Sequence, residues 1–163
     1  MINGINSREM ILEILLEIEE GEHSHVAIRN ALSKYQFLPK QDRAFITRVC
    51  EGTLEYRIQI DYIINSFSKV TVDKMKPAIR EILRSAVYQL KYMDSIPDAA
   101  VCNEAVKLAQ RKGFYNLKPF VNGVLRTIAR EMDKVSFPKK EEDLLKYLSV
   151  KYSMPENLVT RWL

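Results

Sequence analysis

The stretch Lys118–Glu131, with the sequence KPFVNGVLRTIARE, decides how the whole chain is interpreted. Its apolar residues recur at helical spacing, which predicts a helix with one face in a core. Those residues are Phe120, Val121, Val124, Leu125 and Ile128. A glycine inside a helix costs about 1 kcal/mol relative to alanine, so Gly123 predicts a second helix crossing too closely for a Cβ atom. We expect a central helix in which Gly123 tolerates no bulk; an ordinary core helix with a solvated basic face fits the pattern equally well.

Every other long segment also has helical periodicity. Asn6 and Glu9 have the spacing of a capping box, which predicts a helix that runs to about Glu20. Further helices are predicted over residues 24–35, 39–54, 61–67, 77–90 and 97–113. Gly52, inside the helix predicted over 39–54, indicates a second close helix approach. Because no segment shows the alternation of a strand, the predicted fold class is an all-α helical bundle.

The composition is typical of a soluble globular protein. The chain has 163 residues, of which 47% are hydrophobic and 28% charged, enough for one domain and a tail. Its most apolar early run, residues 10–18, is interrupted by Glu13 and Glu17, which argues against a membrane span or a secretory signal. Cys50 and Cys102 lie in apolar helical patterns, and buried thiols are consistent with a reducing cytoplasm. We therefore expect a cytoplasmic protein without a membrane partner.

The net charge of +4 conceals a strong asymmetry. Residues 1–33 contain two arginines and six glutamates, so the remainder of the chain is markedly basic. Much of this excess lies in a block without aspartate or glutamate that contains Lys107, Arg111, Lys112, Lys118, Arg126 and Arg130. A block of this kind is typical of a polyanion-binding surface. We predict that these six residues bind RNA, with Phe114 and Tyr115 as candidates for base stacking.

No residue pattern points to catalysis. His23 and His25 have no partners that would complete a metal site, and the chain contains no phosphate-binding loop, nucleophile elbow or HExxH motif. Glu104, alone on its helix, is interpreted as a structural hydrogen-bond partner. Cys50 and Cys102 lie on core-facing stripes, where a thiol is inert. The chain is predicted to be a binding module, with no catalytic, metal or cofactor site of its own.

Several motifs in order resemble the NusB-like fold over roughly residues 5–132. They are Asp42-Arg43-Ala44-Phe45-Ile46, Tyr88-Gln89-Leu90, Ile96-Pro97, Asn103-Glu104-Ala105-Val106 and Phe120-Val121-Asn122-Gly123-Val124-Leu125-Arg126. The family comprises the antitermination factor NusB and the N-terminal domain of the 16S rRNA cytosine-C5 methyltransferases. The resemblance implies two antiparallel helical subdomains and RNA binding, which NusB carries out jointly with a small ribosomal protein. Where the antitermination factor has an arginine-rich arm, this chain has Arg8, which is the seventh candidate RNA contact.

The end of the chain resembles the connector that leads into the methyltransferase domain. We assign residues 1–133 to the NusB-like RNA-binding domain and 134–163 to this helical connector. Ser153 and Glu156 have the spacing of a capping box, which predicts a further helix with Ser153 as its N-cap. Its apolar stripe of Leu158, Val159, Trp162 and Leu163 is expected to need a partner surface, although it could also fold back onto the bundle.

The resulting hypothesis is an RNA-binding N-terminal domain that positions 16S rRNA for a methyltransferase domain outside this chain. S-adenosylmethionine and the cysteine nucleophile are expected in that domain, so the predicted partners are RNA and the chain's own catalytic domain, and not DNA. One alternative is a stand-alone antitermination factor that binds leader RNA with a ribosomal protein. A second is a helical protein-interaction module whose basic face meets an acidic protein.

Overall fold

The computed structural model describes the backbone of residues 6–162 and the side chains of residues 6–161. All regular secondary structure in the described part of the chain is helical, as predicted, and that part contains no strand. Its α-helices are α1 (Ser7–Glu19), α2 (Ser24–Lys34), α3 (Lys40–Glu55), α4 (Arg57–Phe67), α5 (Pro77–Tyr92), α6 (Asp98–Arg111), α7 (Lys118–Glu131), α8 (Leu144–Tyr152) and α9 (Glu156–Trp162). Single 3-10 turns lie at Val72–Lys74, Tyr115–Leu117 and Met132–Lys134.

Helix α5 is the centre of the bundle. It packs against α1 and α3 on one side and against α4, α6 and α7 on the other. Its residues Ile79, Ile82, Leu83 and Val87 are almost completely buried. Pro77 stands in the first turn, where proline needs no hydrogen-bond donor and its fixed φ favours the helix. The apolar stripe read from the sequence is therefore the element on which the other helices assemble.

The close approach predicted from Gly52 is confirmed. Gly52 is buried on α3, and a Cβ atom at this position would overlap the phenol ring of Tyr88 on α5. Tyr88 packs in turn against Tyr92, with ring centroids 5.3 Å apart. Tyr92 stacks on Tyr56 at 4.6 Å. The missing side chain of Gly52 leaves room for one end of this row of tyrosines.

The corresponding prediction for Gly123 is wrong. Val121, Val124, Leu125 and Ile128 of α7 are buried as expected, but Gly123 is exposed and a Cβ atom there would meet nothing within 4 Å. The reason is the helical repeat: the four buried residues lie on one side of the helix, and position 123 falls on the opposite side. Because nothing lies within 4 Å of a Cβ atom at this position, the packing of α6 and α7 does not require a glycine there.

Two helix termini differ from the sequence interpretation. Asn6 is the N-cap of α1, and its Oδ1 accepts a hydrogen bond from the Arg8 amide at 2.7 Å. The Glu9 carboxylate, predicted to complete the capping box, lies instead 4.0 Å from the Arg111 guanidinium. Helix α4 begins at Arg57, four positions before the predicted Asp61. The predicted N-cap of α1 is therefore confirmed, whereas the role of Glu9 and the start of α4 differ from the prediction.

Ser153 is not the N-cap of α9. It is the C-cap of α8, in the left-handed region with φ 52°. Its Oγ accepts hydrogen bonds from the backbone amides of Ile58 at 3.0 Å and Gln59 at 3.4 Å, in the first turn of α4. These amides have no partner within their own helix, so a residue of the C-terminal segment caps a helix of the bundle.

The C-terminal segment packs on the bundle through further contacts with α4. The side-chain Nε2 of Gln59 donates to the Lys151 carbonyl at 3.3 Å. The Tyr62 hydroxyl donates to the Ser136 carbonyl at 2.6 Å. Helix α9 packs on α8 and buries Val159, whereas Leu158 is exposed. The rest of the predicted apolar stripe, the Trp162 side chain and Leu163, lies outside the described residues.

Candidate nucleic-acid interface

The outer surface of α6 and α7 carries a row of cations held by amide side chains. The Arg126 guanidinium donates to Asn103 Oδ1 at 2.9 Å and to Asn122 Oδ1 at 3.2 Å. At the other end of the pair, Lys118 Nζ donates to Gln110 Oε1 at 2.9 Å. Asn103 contacts Arg126 and Gln110 contacts Lys118, so the two helices are antiparallel. We call this surface the α6–α7 face: Asn103, Lys107, Gln110, Lys118, Asn122, Arg126 and Arg130.

The cations of the α6–α7 face are accessible. The side chains of Lys107 and Arg130 are 60% and 66% exposed, and their carboxylate neighbours Glu104 and Glu131 lie 3.5 Å and 3.9 Å away. Such exposed pairs contribute at most about 1 kcal/mol, so a phosphate can replace them at low cost. Arg126 and Lys118 are bound to amides, which leaves their charge uncompensated.

An aromatic side chain lies at one end of this face. Lys118 Nζ lies 4.6 Å from the centroid of the Tyr115 ring, and Tyr115 is 64% exposed. Phe114, the other predicted stacking residue, packs against the hydrophobic core. Of the two aromatic candidates, only Tyr115 therefore presents a ring to solvent.

The remaining cations of the basic block face α1. Arg111 lies 4.0 Å from Glu9, and Lys112 Nζ lies 3.4 Å from Glu13 Oε1. The acidic residues of α1 thus partly compensate the C-terminal end of α6. The structure divides the six predicted cations by location: four lie on the α6–α7 face, and two lie opposite the acidic residues of α1.

Arg8 is packed among side chains of neighbouring helices. Its guanidinium is 5.2 Å from the centroid of the Phe45 ring, and its buried Nε has no hydrogen-bond partner. Burial lowers the pKa of the Arg8 guanidinium, and the nearby Glu104 carboxylate partly opposes this effect. The Arg8 side chain is thus partly buried among α1, α3 and α6, and among the described residues no side-chain hydrogen bond or ion pair joins it to the cations of the α6–α7 face.

The two thiols are buried and isolated. Cys50 and Cys102 are both fully buried and unpaired, and burial raises the pKa of each thiol. Among the described residues, no group of three or more histidine, cysteine or acidic side chains is placed to hold a metal ion. Within residues 6–162, no helix combines the length and apolar character needed to cross a membrane.

Sequence reasoning missed the amide side chains that position the cations. Asn103 and Gln110 are seven residues apart on α6, and Asn122 and Arg126 are four apart on α7, so each set follows one face of its helix. That spacing could have identified the polar row. The pairing across the two helices required knowledge of their relative register.

A profile of the NusB family matches residues 5–130. The chain is 34% identical over 157 residues to the probable ribosomal RNA small subunit methyltransferase B of Bacillus subtilis (strain 168). The aligned region covers 95% of this chain and 34% of that protein. It therefore spans about a third of the length of this relative.

Two shorter proteins match most of their own length. The chain is 34% identical over 134 residues to the transcription antitermination protein NusB of Dictyoglomus thermophilum, covering 82% of this chain and 88% of that protein. A crystal structure of the antitermination factors NusB and NusE in complex with dsRNA superimposes with a TM-score of 0.70 at 21% identity, covering 76% of this chain and 93% of the other. The all-helical fold, the family match and these relatives agree: the chain belongs to the NusB family.

Proposed function

We propose that this chain is the RNA-binding N-terminal domain of a 16S rRNA cytosine-C5 methyltransferase. The observation that carries the proposal is the extent of the methyltransferase match. The aligned region covers 157 residues, or 95% of the chain, and so extends well beyond the family region that ends at residue 130. The NusB match covers 82% of the chain. The segment with α8 and α9 is thus shared with the methyltransferase relative.

The packing of this segment supports its role as a connector. Ser153 and Lys151 bond to α4, and the Ser136 carbonyl accepts from Tyr62. A segment held at these points would give a following domain a defined direction relative to the bundle. In this proposal residues 1–133 bind RNA and residues 134–163 connect them to the chain's own catalytic domain.

The RNA contact is assigned to the α6–α7 face. Its four cations can meet about three to four phosphates, which gives a log–log salt slope of roughly −2 to −3 for single-stranded RNA. The amides beside them, such as Asn103 and Asn122, can bond to sugar or phosphate oxygens but read little sequence. The solved NusB–NusE complex contains dsRNA, and this fold is therefore compatible with RNA as a ligand. Target selection would come mainly from RNA shape and from the catalytic domain.

The chemistry of methyl transfer belongs, in this proposal, to the following domain. Cytosine-C5 methylation needs a cysteine thiolate and S-adenosylmethionine, and the buried Cys50 and Cys102 are unsuited to the first role. The chain itself is not the enzyme; it binds and positions the rRNA. The expected compartment is the cytoplasm.

The alternative of a stand-alone antitermination factor is favoured by one observation, the coverage of 88% of the Dictyoglomus NusB protein. The two functions differ in their RNA and in their need for a partner. An antitermination factor would bind leader RNA together with a small ribosomal protein. The N-terminal domain of a methyltransferase would bind 16S rRNA without a ribosomal protein.

A competition experiment separates these functions. Fluorescence anisotropy with the 163-residue chain would compare 16S rRNA fragments with an antitermination leader RNA, with and without the small ribosomal protein. We expect tighter binding of 16S rRNA that the ribosomal protein does not alter. Preference for leader RNA that appears only with the ribosomal protein would overturn the proposal in favour of the alternative.

A further inference from the structure

A second surface with cations and aromatic rings lies away from the α6–α7 face. It is a cleft of about 280 Å³ between α4, α5, α8 and the segment before α8. Its walls include Lys91, Phe137, Pro138, Tyr147 and Lys151. This volume is at the lower end of the range of about 300–1,000 Å³ for small-molecule sites. We call it the lysine–aromatic cleft.

The aromatic wall of the cleft is fixed in place. Phe137 stacks on Tyr62, with ring centroids 5.6 Å apart and an interplanar angle of 20°. Tyr62 is not part of the cleft wall and is itself held by the bond from its hydroxyl to the Ser136 carbonyl. Phe137 is therefore supported from outside the cleft and presents a positioned apolar surface to it. A rigid aromatic surface binds a planar group with little loss of conformational entropy.

Two lysines flank this surface. Lys91 Nζ lies 5.9 Å from the Phe137 ring centroid, and Lys151 Nζ lies 5.2 Å from the Tyr147 ring centroid and donates to its hydroxyl at 2.8 Å. The ion pairs of the described residues include neither lysine. Both charges are thus available to an anion at the cleft.

Two acidic residues of the turn before α8 have their partners outside the cleft. Glu142 lies 3.9 Å from Lys139, and Asp143 caps α8 by accepting from the Lys146 amide at 3.0 Å. Neither residue belongs to the cleft wall. The cleft itself combines positive charge with flat apolar surface, and this pairing of properties matches a nucleotide.

We propose that the lysine–aromatic cleft binds one unpaired nucleotide of an RNA strand. The base stacks on the aromatic wall at Phe137 and Tyr147, and Lys91 and Lys151 bind the adjoining phosphates. Stacking on aromatic residues is the usual way in which proteins hold unpaired bases. The inference rests on the proposed RNA-binding function and adds to it a preference for RNA with an unpaired nucleotide.

Two substitutions separate stacking from charge. Phe137→Leu should weaken binding of a single-stranded oligouridine about tenfold without altering the salt slope, because a leucine packs on Tyr62 but cannot stack on a base. Lys151→Gln should weaken it about fivefold at ~0.1 M salt and reduce the salt slope by about 0.7. Lys146→Gln is the matched control, because Lys146 is exposed on the same helix and is not part of the cleft wall. We expect it to leave the affinity almost unchanged.

A blunt RNA duplex provides the ligand control. It offers no unpaired base, so Phe137→Leu should leave its affinity unchanged. The inference would be overturned if Phe137→Leu lowered the affinity for the duplex and for oligouridine equally. It would also be overturned if Lys146→Gln lowered the affinity as much as Lys151→Gln. Thermal melts of each variant establish that the bundle remains folded.

Crosslinking of the unsubstituted chain does not depend on any variant. Ultraviolet irradiation with a 4-thiouridine oligonucleotide should attach RNA to the peptides containing Phe137 or Tyr147. Crosslinks confined to α6 and α7 would overturn the inference and leave the proposed function intact. If neither oligouridine nor duplex nor 16S rRNA fragments bind at all, both the inference and the proposed function fail.

Discussion

Two helix pairs that look alike in sequence, α3–α5 and α6–α7, use their glycines in opposite ways. Gly52 on α3 is buried, and the Tyr88 ring occupies the space that its side chain would take. Gly123 on α7 is exposed, and the space around it is open. A mid-helix glycine is thus a packing device in the first pair and part of a solvent-facing polar surface in the second.

The difference shows that a glycine in a helix does not by itself identify a contact. The inner side of α7, with Val121, Val124, Leu125 and Ile128, is buried. The outer side of α7 remains free for Arg126 and Arg130. The α3–α5 contact is dry and contributes stability, whereas the α6–α7 pair combines a packed inner side with an accessible basic outer side. Four predictions test this contrast.

The largest effect is expected for Gly52→Ala. Its Cβ atom would overlap the buried Tyr88 ring, and overpacking of this kind typically costs about 1–3 kcal/mol. We expect the upper end of that range, because the Tyr88 side chain is buried and already packs against Tyr92. Urea denaturation measures the change. A free energy of unfolding equal to that of the unsubstituted chain would show that the two helices are less close than described.

The second effect concerns RNA. Lys118→Gln together with Arg126→Gln should lower RNA affinity roughly 20-fold at ~0.1 M salt, because each lost phosphate contact contributes about fivefold under those conditions. The salt slope should fall by about 1.4. Fluorescence anisotropy at several salt concentrations gives both values, and stability should change by no more than about 0.5 kcal/mol.

The control removes the same charge elsewhere. Lys69→Gln together with Lys74→Gln substitutes two exposed lysines of the α4–α5 connection. Its affinity should remain near that of the unsubstituted chain. Equal losses in the two double variants would mean that net charge, and not the α6–α7 face, determines RNA binding.

A smaller effect in the opposite direction is expected on the side of α1. Glu9→Gln together with Glu13→Gln removes the carboxylates that face Arg111 and Lys112. The released cations should strengthen RNA binding by up to about fivefold and steepen the salt slope. Glu17→Gln together with Glu20→Gln is the control, because Glu17 lies on the same helix, Glu20 is its C-cap, and neither has an ion pair among the described residues. No gain, or the same gain in both double variants, would contradict a specific role for Glu9 and Glu13.

The smallest effect is expected for Gly123→Ala. Because the site is open and helical, the substitution should raise the free energy of unfolding by about 0.5–1 kcal/mol through helix propensity. A thermal melt or urea titration measures it beside Gly52→Ala. Destabilisation by Gly123→Ala would place this glycine against a neighbour and remove the contrast between the two helix pairs.

The sequence by itself determined the helices and the family. Periodicity of apolar residues is a local property with a fixed repeat, so α7 was predicted over its observed range Lys118–Glu131. The turn after α6 was predicted at Gly113, which has φ 88° and follows the last helical residues. The burial of Cys50 and Cys102 followed from the same periodicity. The ordered motifs indicated the NusB-like fold, which the family match confirms.

Only the tertiary structure decided which side chains meet across elements. It placed Tyr88 over Gly52, Glu9 and Glu13 opposite Arg111 and Lys112, and Ser153 at the first turn of α4. The physical reason is that spacing along a helix fixes the direction of a side chain relative to its own axis. Its neighbour depends on how two axes cross and on their register, and both are set by the packing of the whole core.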